Sequence, residues 1–317
     1  MKKEILEFLI DSIQNQKRAM LIAVVSSSGH APGRAGFSMA VTKNALSGTI
    51  GGGTIEKNMV NKARKFLEEN KKSPELFHRI HKISAGKNSS GMICGGTQTV
   101  VIQPIEEGHL DILQQCEQAY LPDSGPKVLC LSFMGIGCLN EEKTERHAFS
   151  NFRDIYWIYE EIIGQKETAY IFGGGHVCLA LSPILANLGF RVAVLDERPF
   201  INTLEENKYI SELFISPFRD LPLVIKEGPH SYAFIMTPSH VHDETILRGL
   251  LSKSLKYIGM MASKTKVAEI FARLEKEGFS KEKLNSVHSP IGLSIKSRTP
   301  AEIAISIAAE VIAIRNS

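Results

Sequence analysis

Between Thr168 and Asp196 the chain runs through a strand, a glycine turn, a helix and a second strand in an order that few folds accommodate. The apolar run Ala169 to Phe172 meets Gly173, Gly174 and Gly175, after which Val177, Leu181, Ile184, Leu185 and Leu188 recur at helical spacing. Gly189 stops that helix, and Arg191 to Leu195 reads as a buried strand ending on Asp196. The pattern predicts a Rossmann-like, doubly wound parallel sheet. Gly173 permits the tight turn, and Gly175 lets a phosphate approach the backbone. The helix that follows aims free N–H groups and the positive end of its dipole at that anion. Asp196 stands about twenty residues on, where such folds hold a ribose hydroxyl. The fingerprint is incomplete: Cys178 occupies the third glycine position and His176 sits in the turn. A phosphate or nucleotide site is the expectation here, although fold alone does not fix function.

A chain of 317 residues exceeds one ordinary domain, and the pattern divides it into an α/β domain over 1–163 and the Rossmann-like domain over 164–317. The formal charge of +3 points to neither nucleic acid nor a membrane surface. Five cysteines, Cys94, Cys116, Cys130, Cys138 and Cys178, form no CxxC pair, which suits free thiols in a reducing cytoplasm. The opening Met1-Lys2-Lys3-Glu4 imitates a secretory start, but Glu7 and Asp11 interrupt the apolar run, so no signal peptide is expected.

In the first domain, residues 4–16 predict an amphipathic helix and Met20 to Val25 a buried strand, which runs into a loop of small residues, Ser26 to Gly36, containing Arg34. Strands over Ser38–Thr42 and Leu46–Ile50 precede Gly51-Gly52-Gly53-Thr54-Ile55-Glu56 and a helix to about Asn70. Two glycine loops in one small region, the second opening a helix, present N–H groups to an anion with Arg34 as a neighbouring cation, or serve only as tight turns. A strand is expected over Leu76–Ile83. Cys94-Gly95-Gly96 then leads into another, and a thiol at the mouth of a glycine turn is placed for chemistry, or is a small buried hydrophobe. A helix over 106–120 and strands over Lys127–Phe133 and Ile155–Tyr159 follow, separated by a polar, weakly patterned stretch from Gly135 to about Phe152.

Beyond Asp196, the strand Tyr232 to Met236 ends in Thr237-Pro-Ser-His-Val-His-Asp243. Loops at the carboxyl ends of parallel strands bind ligands, so His240, His242 and Asp243 are candidate ligand or acid–base groups; a metal would need more converging ligands. Asp243 as a helix cap is the alternative. Ser263, Lys264 and Lys266 open a later helix, where cations oppose the dipole unless an anion sits between. Thr299-Pro300-Ala301-Glu302 reads as a capping box. The last helix, with Ile303, Ile307, Val311 and Ile314, is apolar nearly all round, for burial in a core or against a second copy of the chain.

These motifs together resemble the XdhC/CoxI family, accessory proteins of molybdenum hydroxylases such as xanthine dehydrogenase. In the first domain the resemblance rests on Gly29-His-Ala-Pro-Gly-Arg-Ala-Gly36, Gly48-Thr-Ile-Gly-Gly-Gly-Thr-Ile-Glu56 and Cys94-Gly-Gly96. In the second it rests on Phe172-Gly-Gly-Gly-His-Val177, Asp196-Glu-Arg-Pro199, Met236-Thr237, Tyr257-Ile-Gly259 with Lys266, His288-Ser-Pro-Ile-Gly-Leu293 and Thr299 to Ser306. It spans nearly the whole chain apart from 105–155. Pro238, Ala262 and Lys296-Ser297-Arg298 depart from the family's pattern, where relatives have a histidine, a glycine and a Gly-Ala-Glu-like stretch.

The resemblance implies a cytoplasmic chaperone, not itself a catalyst of substrate turnover, that binds and protects molybdenum cofactor (molybdopterin). It implies help with sulfuration by a cysteine desulfurase and delivery to an apo xanthine dehydrogenase-type hydroxylase, and Cys94 as the thiol that touches the metal or handles sulfur. The expected cofactor site has Arg34, Gly51, Gly52, Gly53, Glu56 and Cys94 along one wall and Gly173, Gly175, His176, Asp196, His240 and Lys266 along the other, between the domains. A homo-oligomer, in its simplest form a dimer, is expected from the last helix. The rival is an NAD(P)-dependent oxidoreductase, with Asp196 on the ribose and His240 as proton donor. A regulatory Rossmann sensor is a third possibility.

Overall fold

A computed structural model describes residues 1–80, 96–121, 124–141, 143, 145–164 and 167–316. The chain separates into two units, Met1–Gln165 and Lys166–Ser317.

The first unit is organised around a strand buried on both faces. Helix α1 (Lys3–Gln14) precedes β1 (Ala19–Gly29), and β2 (Ser38–Val41) and β3 (Leu46–Gly48) return beside it before α2 (Gly53–Glu68). Strands β4 (Glu75–Ile80) and β5 (Gly96–Ile105) complete an antiparallel sheet of order β3-β2-β1-β5-β4. Successive side chains of a strand point to opposite faces. Met20, Ile22 and Val24 accordingly pack with Ile55, Met59 and Phe66 of α2. Leu21, Ala23 and Val25 pack with Leu6 and Leu9 of α1, with Leu113 and Cys116 of α3 (Leu110–Gln118), and with a second sheet. That sheet, of order β7-β6-β9-β8, is antiparallel: β6 (Lys127–Ser132), β7 (Gly135–Leu139), β8 (His147–Phe152) and β9 (Tyr156–Ile163).

One expectation needs correction in this unit, and one stretch without an expected element gains two strands. The stretch from Ser26 onward does not begin as a loop, because β1 continues to Gly29, pairing Ser26 with Thr99 and Gly29 with Gly96 after an irregularity at Val24/Ser26. The weakly patterned segment 135–152 holds β7 and β8. Their residues are mostly half-exposed or exposed, so the strands arise from pairing with the more deeply buried β6 and β9 and not from an apolar signature of their own. The β8–β9 hairpin also turns without glycine, through Arg153 and Asp154 at φ +53° and +58°, positions that hairpins ordinarily give to Asn-Gly or Gly.

The second unit carries five parallel strands in the order β12-β11-β10-β13-β14. These are β10 (Thr168–Phe172), β11 (Arg191–Asp196), β12 (Glu212–Ile215), β13 (Gly228–Ile235) and β14 (Leu255–Met260). Helices cover both faces, as the continuous apolar strands require. Helices α4 (His176–Asn187) and α9 (Pro300–Arg315) pack on Ile171, Val194 and Phe234; α6 (His240–Leu250) and α7 (Lys264–Lys276) pack on Phe172, Leu195 and Ile235. Between these lie short helices α5 (Asn202–Glu205) and α8 (Lys281–Asn285). Thr299 and Glu302 form the expected capping box of α9. This is the Rossmann-like arrangement, with strand order reversing at β10. Among the described residues no helix is long and apolar enough to cross a membrane.

Candidate functional site

In the first unit the glycine motifs come together in space. A Cβ on Gly33 would lie 2.1 Å from the Ile50 carbonyl oxygen and 2.4 Å from Gln98 Nε2, and one on Gly51 would lie 2.6 Å from the Gly33 nitrogen. The loop around Arg34 and the loop over 49–53 therefore pack backbone to backbone, and Gln98, buried, donates from Nε2 to the Ile50 carbonyl at 3.1 Å. Gln98 escaped the sequence reading because nothing marks a polar residue in a strand as a clamp until its partner loop is placed. Gly51, Gly52 and Gly53 all have positive φ, at +115°, +75° and +68°, a run that only glycine sustains.

The N–H groups of this turn point to an acceptor inside the chain. Glu56 Oε2 accepts from Thr49 Oγ1 at 2.6 Å, from Ile50 N–H at 2.9 Å and from Gly52 N–H at 3.1 Å. The oxyanion that such a nest favours is thus the chain's own carboxylate, which fits the tight-turn reading of these glycines. Arg34 is exposed and donates from Nη1 to the Gly29 carbonyl at 2.9 Å, bracing its own loop. Cys94 lies outside the described residues.

The glycine turn after β10 behaves in the same way. Gly174 N–H donates to Asp196 Oδ2 at 2.7 Å, and Arg198 donates to the same carboxylate from its backbone N–H (2.9 Å), Nε (2.9 Å) and Nη2 (2.8 Å). Asp196 has no exposed surface. Burial pushes its carboxyl upward, but the Arg198 side chain and the Gly174 and Arg198 amides outweigh that and hold it below the usual carboxylate range. Both oxygens serve the turn instead of standing free for a ribose, and the overlooked residue is Arg198, two positions further on. Cys178, where a third glycine was expected, is buried beside Ser182 and Asn207, with Asn207 Nδ2 donating to Ser182 Oγ at 2.8 Å. His176 is the exposed first residue of α4, and Gly175 caps that helix.

A cavity of about 400 Å³ opens at the carboxyl ends of β13 and β14, lined by Thr237, His240, Asp243, Ser263, Lys266 and Ile291 among others. Helices α6 and α7 both begin here. Ser239 and Ser263 cap them, accepting from Val241 and Lys266 N–H, so Asp243 is not the cap the sequence offered. It sits in the fourth position of α6, buried, and accepts from Thr237 N–H at 3.1 Å and Thr237 Oγ1 at 2.7 Å. Burial pushes its carboxyl above the usual range, against the Thr237 bonds. His240 and Lys266 are exposed at the rim. His242 turns away, toward Phe218 and Glu197.

One wall is built by the stretch His288 to Leu293. Glu310 of α9 accepts from Tyr257 OH at 2.6 Å and from Gly292 N–H at 3.0 Å, and His288 stacks on Tyr257 at 5.0 Å. Burial lifts the Glu310 carboxyl, yet its bonds to His288, Tyr257 and Gly292 together hold it below its ordinary value. This knot presents Pro290 and Ile291 to the cavity. Glu310 lay hidden in an apolar helix pattern. Among the described residues no group of three or more His, Cys, Asp or Glu is arranged to hold a metal.

Known proteins bear on both units. Over 93% of its length, with 24% identity, the chain is similar to the uncharacterized protein YqeB of Escherichia coli (strain K12), covering 43% of that protein. Over 48% of its length, with 30% identity, it is similar to a probable xanthine dehydrogenase component of Bacillus subtilis (strain 168), covering 44% of it. The chain thus spans less than half the length of these curated relatives. A crystal structure of a xanthine dehydrogenase from Bacillus halodurans shares its fold with a TM-score of 0.74 at 24% identity, over 100% of this chain and 96% of that one. Residues 12–79 match the XdhC and CoxI family and residues 169–311 the XdhC Rossmann domain, and with a matching region in each unit the chain belongs to the XdhC and CoxI family.

Proposed function

We propose that this chain is an accessory protein of a xanthine dehydrogenase-type molybdenum hydroxylase, and that its cargo is molybdenum cofactor. The observation that carries this is the cavity beside β13 and β14, where two helix N-termini and Lys266 converge on a volume suited to a small molecule. Cationic side chains and helix N-termini favour a phosphate, and molybdopterin carries one. Asp243, the acid in that lining, is buried and spends Oδ1 on the Thr237 amide and hydroxyl. Lys266 and the first turns of α6 and α7 hold the phosphate end; Thr237 and Ile291 exclude water from one side. His240 is placed at the rim to exchange a proton. The family resemblance adds Cys94 as the thiol for metal or sulfur, a cysteine desulfurase as sulfur source and an apo-hydroxylase as recipient.

The test is to mix the purified chain with freshly released cofactor, remove unbound ligand, and measure retained molybdenum and pterin fluorescence. Retention near one per chain, reduced about tenfold in affinity by Lys266→Gln, is the expected result, with Cys94→Ala lowering retained molybdenum more than pterin. No retention alongside saturable NAD(H) binding would overturn this function in favour of an oxidoreductase.

A further inference from the structure

At the end of β1 remote from Gly29, Lys17, Arg18, Lys43 and Arg64 surround a cavity of about 550 Å³ whose walls include Leu67 and Glu68. β1 runs 11 residues from Ala19 to Gly29, roughly 35 Å at the rise of a strand, so this cavity is well separated from the glycine loops. Arg18 is already committed. Its guanidinium donates to the Leu67 and Lys71 carbonyls at 3.4 and 3.3 Å and to Glu106 at 3.1 Å, closing the carboxyl end of α2. Lys17, Lys43 and Arg64 form no ion pair among the described residues, and Arg64 Nε is buried without a hydrogen-bond partner. A buried donor lacking an acceptor is costly, and the cations of this lining outnumber its one carboxylate, the exposed Glu68. An anion seated among them answers both. The rim is set in advance: Thr42 N–H donates to the Ala45 carbonyl at 2.9 Å and Ala45 N–H to Thr42 Oγ1 at 3.1 Å, which fixes the turn that carries Lys43.

We propose that this cavity binds a small organic phosphate. The Arg64 fork and the Lys17 and Lys43 ammonium groups take the phosphoryl oxygens, and the remaining volume seats an organic body against Leu67 and the aliphatic stems of the cations. This site is independent of the cofactor cavity in the second unit and stands whether or not that one holds cofactor.

The test is calorimetric titration of the full chain with ADP, and in parallel with inorganic pyrophosphate, at low ionic strength. Saturable ADP binding is expected, weakened about tenfold by Arg64→Gln and by Lys43→Gln, and unchanged by Arg34→Gln at the glycine loops. Lys43 is exposed on a turn, so its variant carries the test if Arg64→Gln fails to fold. Absence of saturable binding, binding of pyrophosphate without ADP, equal affinity in Lys43→Gln, or loss in Arg34→Gln would each overturn the assignment.

Discussion

Replacing Asp196 with alanine separates two roles open to a carboxylate at the end of β11: holding the glycine turn, or holding a ligand. The side chain is fully buried and accepts from the Gly174 amide, the Arg198 amide and two nitrogens of the Arg198 guanidinium. Alanine strands the buried Gly174 N–H without an acceptor, at a cost of about 1–3 kcal/mol. The Arg198 side chain is 43% exposed, so its guanidinium turns to water and its charge contributes at most about 1 kcal/mol. With the Arg198 amide the expected loss is about 3 kcal/mol, or on the order of 6–12 °C in the melting of a domain this size. Asp196→Asn keeps the volume and one acceptor and should lose about 1–2 kcal/mol.

The assay must follow the second unit. The single tryptophan, Trp157, belongs to the first unit, so its emission is blind to this change; far-UV circular dichroism in urea, with amide exchange at Gly174, is the measurement. The pH dependence has a definite sign. A carboxyl held below its ordinary value stabilises the fold above the ordinary carboxylate range and ceases to do so as pH falls through the depressed value. The advantage of wild type over Asp196→Asn should therefore persist from neutral pH down to about pH 4 and shrink only below it. If Asp196→Ala loses less than about 1 kcal/mol while affinity for NAD(H) falls, the carboxylate serves a ligand and the structural account of the turn is wrong.

Glu56→Ala should free the Ile50 and Gly52 amides, cost about 1–2 kcal/mol because the site is half-open to water, and speed their hydrogen exchange; added phosphate should slow that exchange in the variant and leave wild type unchanged. Exchange rates identical to wild type would show that Glu56 does not close the loop. Asp243→Asn keeps an acceptor for Thr237, so it should match or exceed wild-type stability at neutral pH. Because burial raises the Asp243 carboxyl, ionising it costs stability as pH rises above about 4, and the variant should gain on wild type over that rise. A gap between the two that stays flat with pH would refute the raised value.

The second unit was legible because parallel strands covered on both faces are written as unbroken apolar runs. Ala169–Phe172, Val192–Leu195 and Tyr232–Met236 need no partner to be recognised, and glycines punctuate them. β7 and β8 gave no such signal: their inward positions are few and half-covered, and only the register with β6 and β9 makes them strands. The site was legible in parts. Ser263, Lys266, His240 and the stretch from His288 each stood out, yet no spacing rule joins residues from 237 to 303 into one cavity. Glu310, which ties Tyr257 to Gly292, is invisible in a helix whose pattern is otherwise apolar.

The larger correction concerns what glycine turns are for in this chain. The turn after β10 was expected to offer amides to an incoming anion, and the glycines of the first unit either to do the same or to serve only as tight turns. In the first unit Gly52 N–H goes to Glu56, and in the second Gly174 N–H goes to Asp196. Sequence supplies both halves of each pair but not their union, since a carboxylate four residues or twenty-two residues away becomes internal only when a third group holds it there; for Asp196 that group is Arg198. Once the turn after β10 is closed in this way, the anion-ready ends in the second unit lie at the neighbouring loops, where α6 and α7 begin and Lys266 stands exposed. A parallel sheet whose strand order reverses at β10 still directs ligands to its carboxyl edge. In the proposed function, the internal carboxylate moves the favoured position along that edge, from the loop that bears the fingerprint to the loops after β13 and β14.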